Sequence, residues 1–259
     1  LTSGLSITSQ YQLGTQHPPK SLVSYGPYLV MGTSTGRAQF YELATPRSLR
    51  VVASRNTGAA FVADGAFLFG ANGSVLDLQA GLSPQELVPQ VTTTNPLLCA
   101  HDVAKVGEYL VRVPVGDSRL DVLDVSNATD RLGTTSVSYS PLTSGYSVPL
   151  ANITGAHAVE VWGNFIVVLE SRPAGFFLEV FRATALRDLS PATSLLSTHS
   201  LGSIQLSTQT PALPSGQLVL SNGRAFATLA SDVGNALTNS VVAVDFRNLR
   251  RVIGRASCR

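Results

Sequence analysis

Short apolar runs alternate with turn residues along the whole chain, and none carries a helical period. The pattern predicts strands, each with one buried and one solvated face. Five of the runs break at a Gly turn and resume as a second strand rich in aromatic and β-branched residues. The turns are Ser24-Tyr25-Gly26-Pro27-Tyr28-Leu29, Asp64-Gly65-Ala66-Phe67-Leu68, Val106-Gly107-Glu108-Tyr109-Leu110, Trp162-Gly163-Asn164-Phe165-Ile166 and Asn222-Gly223-Arg224-Ala225-Phe226. Gly supplies the positive φ that a tight hairpin needs, so each predicts a two-stranded hairpin.

A third strand follows each hairpin and ends on a repeated signature: Tyr41-Glu42-Leu43, Leu76-Asp77-Leu78, Leu123-Asp124-Val125, Phe181-Arg182 and Val244-Asp245-Phe246. The fourth copy carries Arg182 in place of the carboxylate. Fourth strands are expected at 49–53, 87–88, 131–133, 195–196 and 251–254. Four antiparallel strands per unit, repeated, predict an all-β fold of the β-propeller type. The expectation is a single domain over 1–259 with five four-stranded blades near 20–55, 56–98, 99–140, 155–205 and 214–257. The turn glycines are spaced by 39, 42, 56 and 60 residues, so the later blades should carry longer loops, mainly at 134–154 and 183–215. A β-sandwich would explain the alternation, but not the ordered return of the same Gly and acid. Residues 1–19 read as a lead-in, with the alternating segment 3–14 expected to close the ring by pairing with the last blade. Closure matters because an open ring leaves a strand edge and a blade face uncovered.

The units Gly26 through Val52 and Gly107 through Leu132 resemble the LVIVD repeat. The likeness rests on the Gly-aromatic turn, the strand Leu120-Asp121-Val122-Leu123-Asp124-Val125-Ser126-Asn127, and the Leu132-Gly133 that follows. It is strong in copies one and three and weaker in the rest. This repeat builds propellers in mostly bacterial surface and secreted proteins, so the resemblance implies a propeller displayed outside the cell or at its surface. It implies no catalytic set, and a fold does not fix a function.

Composition adds exclusions. With 44% apolar and 13% charged residues the chain is neither disordered nor a long coiled coil. A formal charge of +2 gives no electrostatic case for a nucleic-acid partner. No apolar stretch is long enough to span a membrane as a helix, and no signal peptide is recognisable. Opening at Leu1, the chain reads as a processed product or a segment of something longer. The terminal basic run Arg247, Arg250, Arg251, Arg255 and Arg259 reads as solvated edge charge. Cys99 and Cys258 either form a disulfide that ties the C-terminal end to mid-chain or are two unrelated thiols. Asn72, Asn127 and Asn152 head Asn-x-Ser/Thr sequons and are glycosylation candidates if the chain is secreted by a eukaryotic cell.

The candidate site comes from alignment. In a propeller the first strand of each blade lines the channel. Six residues before each turn Gly stand Lys20, Ala59, His101, His157 and Gln217, beside Asp102. They are expected to form one ring near the channel mouth that takes a small ligand, or simply bonds to backbone and water. Two histidines and a carboxylate would also suit a transition metal, but no metal or cofactor is assigned. The repeated acids sit away from the axis and read as turn caps. Asp102 and Glu160 are the only channel-side carboxylates a glycoside hydrolase would use, and they stand at non-equivalent positions. Trp162 is either a sugar platform or packing between blades. The expected function is a non-enzymatic secreted or surface module that binds a protein partner or joins a larger assembly. A glycan-binding propeller and a five-bladed glycoside hydrolase are the alternatives.

Overall fold

The structure, a computed structural model, describes residues 19–33, 35–42, 50–58, 60–78, 85–88, 100–114, 119–125, 145–149, 155–184, 186, 200–208, 216–233 and 236–246. These residues form nineteen strands in five antiparallel sheets. Each sheet is built from strands consecutive in the chain. The first holds β1 (Pro19–Tyr25), β2 (Tyr28–Thr33), β3 (Arg37–Glu42) and β4 (Arg50–Asn56). The second holds β5 (Phe61–Asp64), β6 (Phe67–Gly70), β7 (Val75–Asp77) and β8 (Gln85–Val88). The third holds β9 (Ala100–Val106), β10 (Tyr109–Pro114), β11 (Arg119–Asp124) and β12 (Gly145–Pro149). The fourth holds β13 (Gly155–Trp162), β14 (Phe165–Arg172), β15 (Gly175–Arg182) and β16 (Ser200–Ser207). The fifth holds β17 (Leu218–Ser221), β18 (Arg224–Val233) and β19 (Ala236–Asp245). The chain divides into two compact units, one carrying the first two sheets and the other the last three.

Within each unit, consecutive sheets stack face to face. In the first unit Val30, Ala38 and Phe40 pack on Phe61, Leu68 and Leu76. In the second, Ala104, Val111, Val113, Leu120 and Val122 of the third sheet pack on Val159, Ile166, Val168 and Phe181 of the fourth. The alternate residues Ala158, Val167, Leu169, Leu178 and Val180 face the other way, onto Leu218, Ala225, Ala227 and Leu229 of the fifth sheet. The fourth sheet is therefore buried on both faces, which is why β14 and β15 read as nearly continuous apolar runs. Each Leu, Ile or Phe sealed this way contributes roughly 1.5–3 kcal/mol. The fifth sheet keeps its second face open, with Val219, Phe226 and Val241 exposed.

The hairpin turns fall where the sequence put them. Tyr25 pairs with Tyr28, Asp64 with Phe67, Val106 with Tyr109 and Trp162 with Phe165, so each loop has two residues, the first a Gly at φ between 52° and 57°. The repeated acid stands directly across from the first residue after the turn: Glu42 from Tyr28, Asp77 from Phe67, Asp124 from Tyr109 and Asp245 from Arg224.

Two fourth strands lie elsewhere than expected. That of the third sheet is β12, at Gly145–Pro149, beyond the expected end of that blade at 140 and inside a stretch read as loop. That of the fourth sheet is β16, at Ser200–Ser207, where 195–196 had been expected. Both strands break their apolar residues up with Ser, Gly or Pro. The outermost strand of a sheet buries little, so its sequence carries a weak apolar signal. The proposed closing strand 3–14, the expected fourth strand at 251–254, Cys99, Cys258, Asn127, Asn152 and the terminal arginines lie outside the described residues.

Candidate functional site

Counting six residues back from the turns leads to one repeated feature of the backbone. Lys20 falls between Pro19, opposite Thr33, and Ser21, opposite Gly32. His101 falls between Ala100, opposite Pro114, and Asp102, opposite Val113. His157 falls between Ala156, opposite Glu170, and Ala158, opposite Leu169. Each is the extra residue of a β-bulge at the start of its sheet's first strand. A bulge bends the strand and re-aims its side chain. The side chain of Lys20 and the whole of Ala59 lie outside the described residues.

The fifth copy is out of step with this alignment. Ser221 pairs with Arg224, so its loop is Asn222-Gly223 and Asn222, at φ 51°, occupies the place of the other glycines. Both loop residues have positive φ, which makes this an Asn-Gly turn of the I′ kind. Six residues back from Asn222 is Gly216, not Gln217. Gln217 is exposed and pairs with Thr228, whose backbone N–H it receives and whose hydroxyl accepts its own N–H at 2.8 Å. Gly216 stands where a Cβ would press on Leu169 and lie 3.3 Å from the His157 Cβ.

Gly216 therefore stands against His157, the bulge residue of the fourth sheet. His157 is 7% exposed, its ring 5.5 Å from that of Phe176. Burial, and secondly the charge of His101, push its pKa down to about 4. Both its ring nitrogens are buried without a hydrogen-bond partner among the described residues. His101 is half-buried on the third sheet and has interactions of its own.

Asp102 does something different. One carboxylate oxygen accepts the N–H of Val103 at 2.9 Å, and the other accepts the N–H of Val159, on the fourth sheet, at 3.0 Å. β13 is an edge strand, and this N–H points away from its ladder with β14. Asp102 thus bolts the third sheet to the fourth. Burial raises its pKa to about 7 against the pull of those two bonds, with the nearby Glu160 charge adding to the rise. Burial raises Glu160 as well.

Asn72 is 2% exposed, and its carboxamide oxygen accepts the N–H of Ser74 at 3.0 Å. Its carboxamide is thus part of the turn and sealed in the folded chain. Trp162 lies 5.8 Å from Phe246 and 6.0 Å from Phe165, in the seam between the fourth and fifth sheets. Among the described residues no group of three or more His, Cys, Asp and Glu converges as a metal site, and no helix is long and apolar enough to cross a membrane.

Sequence reasoning missed the strongest polar cluster. Glu170 is 0% exposed, and Arg172 bonds it at 2.5 Å and Glu179 at 2.9 Å. The same guanidinium donates to Ser203 at 3.2 Å and lies 4.6 Å from the ring centre of Phe177. Burial first, then the Glu179 charge, raise Glu170 to about 8 despite Arg172. The signal was a Glu-Ser-Arg at the end of an otherwise apolar run, with Glu179 brought beside it by a two-residue loop. Arg112 and Asp121 are also buried and stand opposite one another in the β10–β11 register, and Asp121 makes an ion pair with Arg119 at 3.4 Å.

No family model and no curated protein matches the chain. Among solved structures it is similar to the computationally designed Ika8 protein, with 13% identity over 89% of this chain and 60% of that one, at a TM-score of 0.49. The designed Ika4 protein is 15% identical over 65% of this chain and 93% of its own, at 0.41. A chain of the mitotic checkpoint complex is 13% identical over 90% of this chain and 66% of its own, at 0.49. Likenesses this distant say nothing of what the chain binds or does.

Proposed function

We propose that the five sheets are blades of one propeller domain, closed by the N-terminal segment, and that it acts as a non-enzymatic module at the cell surface or outside the cell. Its partner would be another protein or a larger assembly. Within each unit the sheets stack in chain order on their apolar faces, as blades do, and the same bulge opens three of the five. Closure would also cover the open apolar face of the fifth sheet. The observation that carries the non-enzymatic reading is Asp102: both its oxygens accept backbone N–H groups, one on each of two sheets. A general acid has to hold its proton toward a substrate, and this carboxyl is turned into the wall. Trp162, packed between Phe165 and Phe246, speaks for packing over a sugar platform.

The test has two arms. Glycoside hydrolysis and glycan-array binding are measured for the wild type, Asp102→Asn and Glu160→Gln. No hydrolysis and no specific glycan are expected; hydrolysis abolished by either substitution would replace this reading with the hydrolase one. Hydrogen exchange at residues 5–13 tests the ring, which predicts protection there.

A further inference from the structure

His157 is the group this reading leaves unused. It sits in the seam between the fourth and fifth sheets, against Phe176 on one side and Gly216 on the other. The polar neighbours are already engaged elsewhere. The Gly155 carbonyl accepts the Ser171 hydroxyl at 3.2 Å, and the Thr228 hydroxyl accepts the Gln217 N–H. His101 faces it from the third sheet, and its charge opposes a second one. Asp102 is bound to Val103 and Val159. Glu160 lies farther along β13, opposite Val167, on the side that faces the fifth sheet. Glu170 and Arg172 alternate with Ile166 and Val168, which puts them on the opposite face of the fourth sheet. A neutral imidazole can stay in such a place, but an imidazolium there would be buried with neither ring nitrogen bonded to an acceptor among the described residues.

We propose that His157 is an acid-sensitive latch, whose protonation opens the seam between the fourth and fifth sheets while the third and fourth sheets stay bolted together. Opening returns the imidazole to water and to its ordinary pKa of 6.5, whereas the closed seam holds it near 4. The open form therefore binds the extra proton, and opening is favoured progressively as pH falls from about 6.5 to about 4. The full effect is on the order of a hundredfold in the opening equilibrium. Glu170 belongs to the other seam, and Asp102 keeps its bonds to Val103 and Val159 when this one opens. Glu160, raised by burial, works in the opposite direction and sets no acid opening of its own.

Trp162, the only tryptophan, lies in the same seam and reports on it. The full chain is titrated from pH 8 to 3.5, following Trp fluorescence, far-UV circular dichroism and hydrogen exchange corrected for its intrinsic rate. Exchange in β17 and the first half of β18 should rise by about a hundredfold and the fluorescence should shift, with β9–β11 and the dichroism unchanged. His157→Gln and His157→Phe should abolish the response, and Glu160→Gln should keep it. A response that survives His157→Gln, an absent response in the wild type, or a simultaneous loss of all structure would each overturn the latch. If His157→Phe does not fold, the Gln variant decides.

Discussion

Replacing Asp102 by Asn should change the slope of stability against pH, not only its level. The carboxyl moves from 3.8 to about 7 on folding, because burial outweighs its two backbone bonds. Between those values the folded chain holds a proton that the unfolded chain releases. The contribution of Asp102 to stability is then complete below about pH 4 and is lost as pH rises to 7. Three pKa units would correspond to roughly 4 kcal/mol if the whole shift were realised. The side chain keeps some contact with solvent, so we expect about 1–2 kcal/mol between pH 5 and pH 8. Asn cannot follow this curve. It carries one acceptor where two are needed and turns an NH2 toward a backbone N–H, leaving either Val103 or Val159 unpartnered. That costs about 1–3 kcal/mol at every pH. Urea unfolding of both proteins at pH 5, 6, 7 and 8 measures the gap, with unchanged m-values as the check that the same transition is compared. His157 and Glu170 titrate in both proteins and cancel in the difference. The gap should be widest at pH 5 and narrow by about 1–2 kcal/mol by pH 8. Parallel curves, or a gap that widens with pH, would refute the assignment of Asp102 as a buried, mostly neutral bolt.

Arg172→Met removes the only cation bonded to Glu170 and Glu179 among the described ion pairs, and should cost about 3 kcal/mol above pH 8. The cost should shrink toward pH 6, where Glu170 is protonated; denaturant melts at the two pH values measure it. Gly175→Ala and Gly107→Ala separate backbone strain from collision. A Cβ at Gly175 would run into the Ser207 carbonyl, while one at Gly107 meets nothing. Thermal unfolding should therefore show about 1 kcal/mol lost at Gly107 and at least twice that at Gly175. Expression in a glycosylating host should leave Asn72 bare, as read from the mass of its peptide, and Asn72→Ala should cost about 1–2 kcal/mol through the lost Ser74 bond.

How much of this was legible follows from where each residue's partners lie. The hairpins were readable because a two-residue turn is local: Gly26, Gly65, Gly107 and Gly163 each set φ for a loop closed by its immediate neighbours. The third strands were readable because they lie inside their sheets and bury most of their residues. The outer strands β12 and β16 were not, since their apolar residues are few and interrupted by Ser, Gly or Pro and form no continuous run. In the fifth copy the Gly is real, but Asn222 takes the first positive-φ place, and a Gly count slips by one residue. That slip exchanged Gln217 for Gly216 in the expected ring. It matters, because Gly216 has no side chain to give, and Leu169 and His157 close against its bare backbone.

The histidines were found by position but their chemistry was not. No spacing says that His157 lies between Phe176 and Gly216, which follow it by 19 and 59 residues in the chain and meet it only through the stacking of two sheets. Nor does spacing say that Asp102 meets Val159, 57 residues on, across the other seam. Both groups come from neighbouring places in the same repeat, yet one is spent on backbone N–H groups and the other is left unpaired. A repeat fixes where side chains stand, and the differences between its copies decide what they do there. The Asp102 bolt and the His157 wedge flank the same fourth sheet with titrations of opposite sign. Acid should therefore tighten one seam as it loosens the other, and no reading of a single copy would contain that.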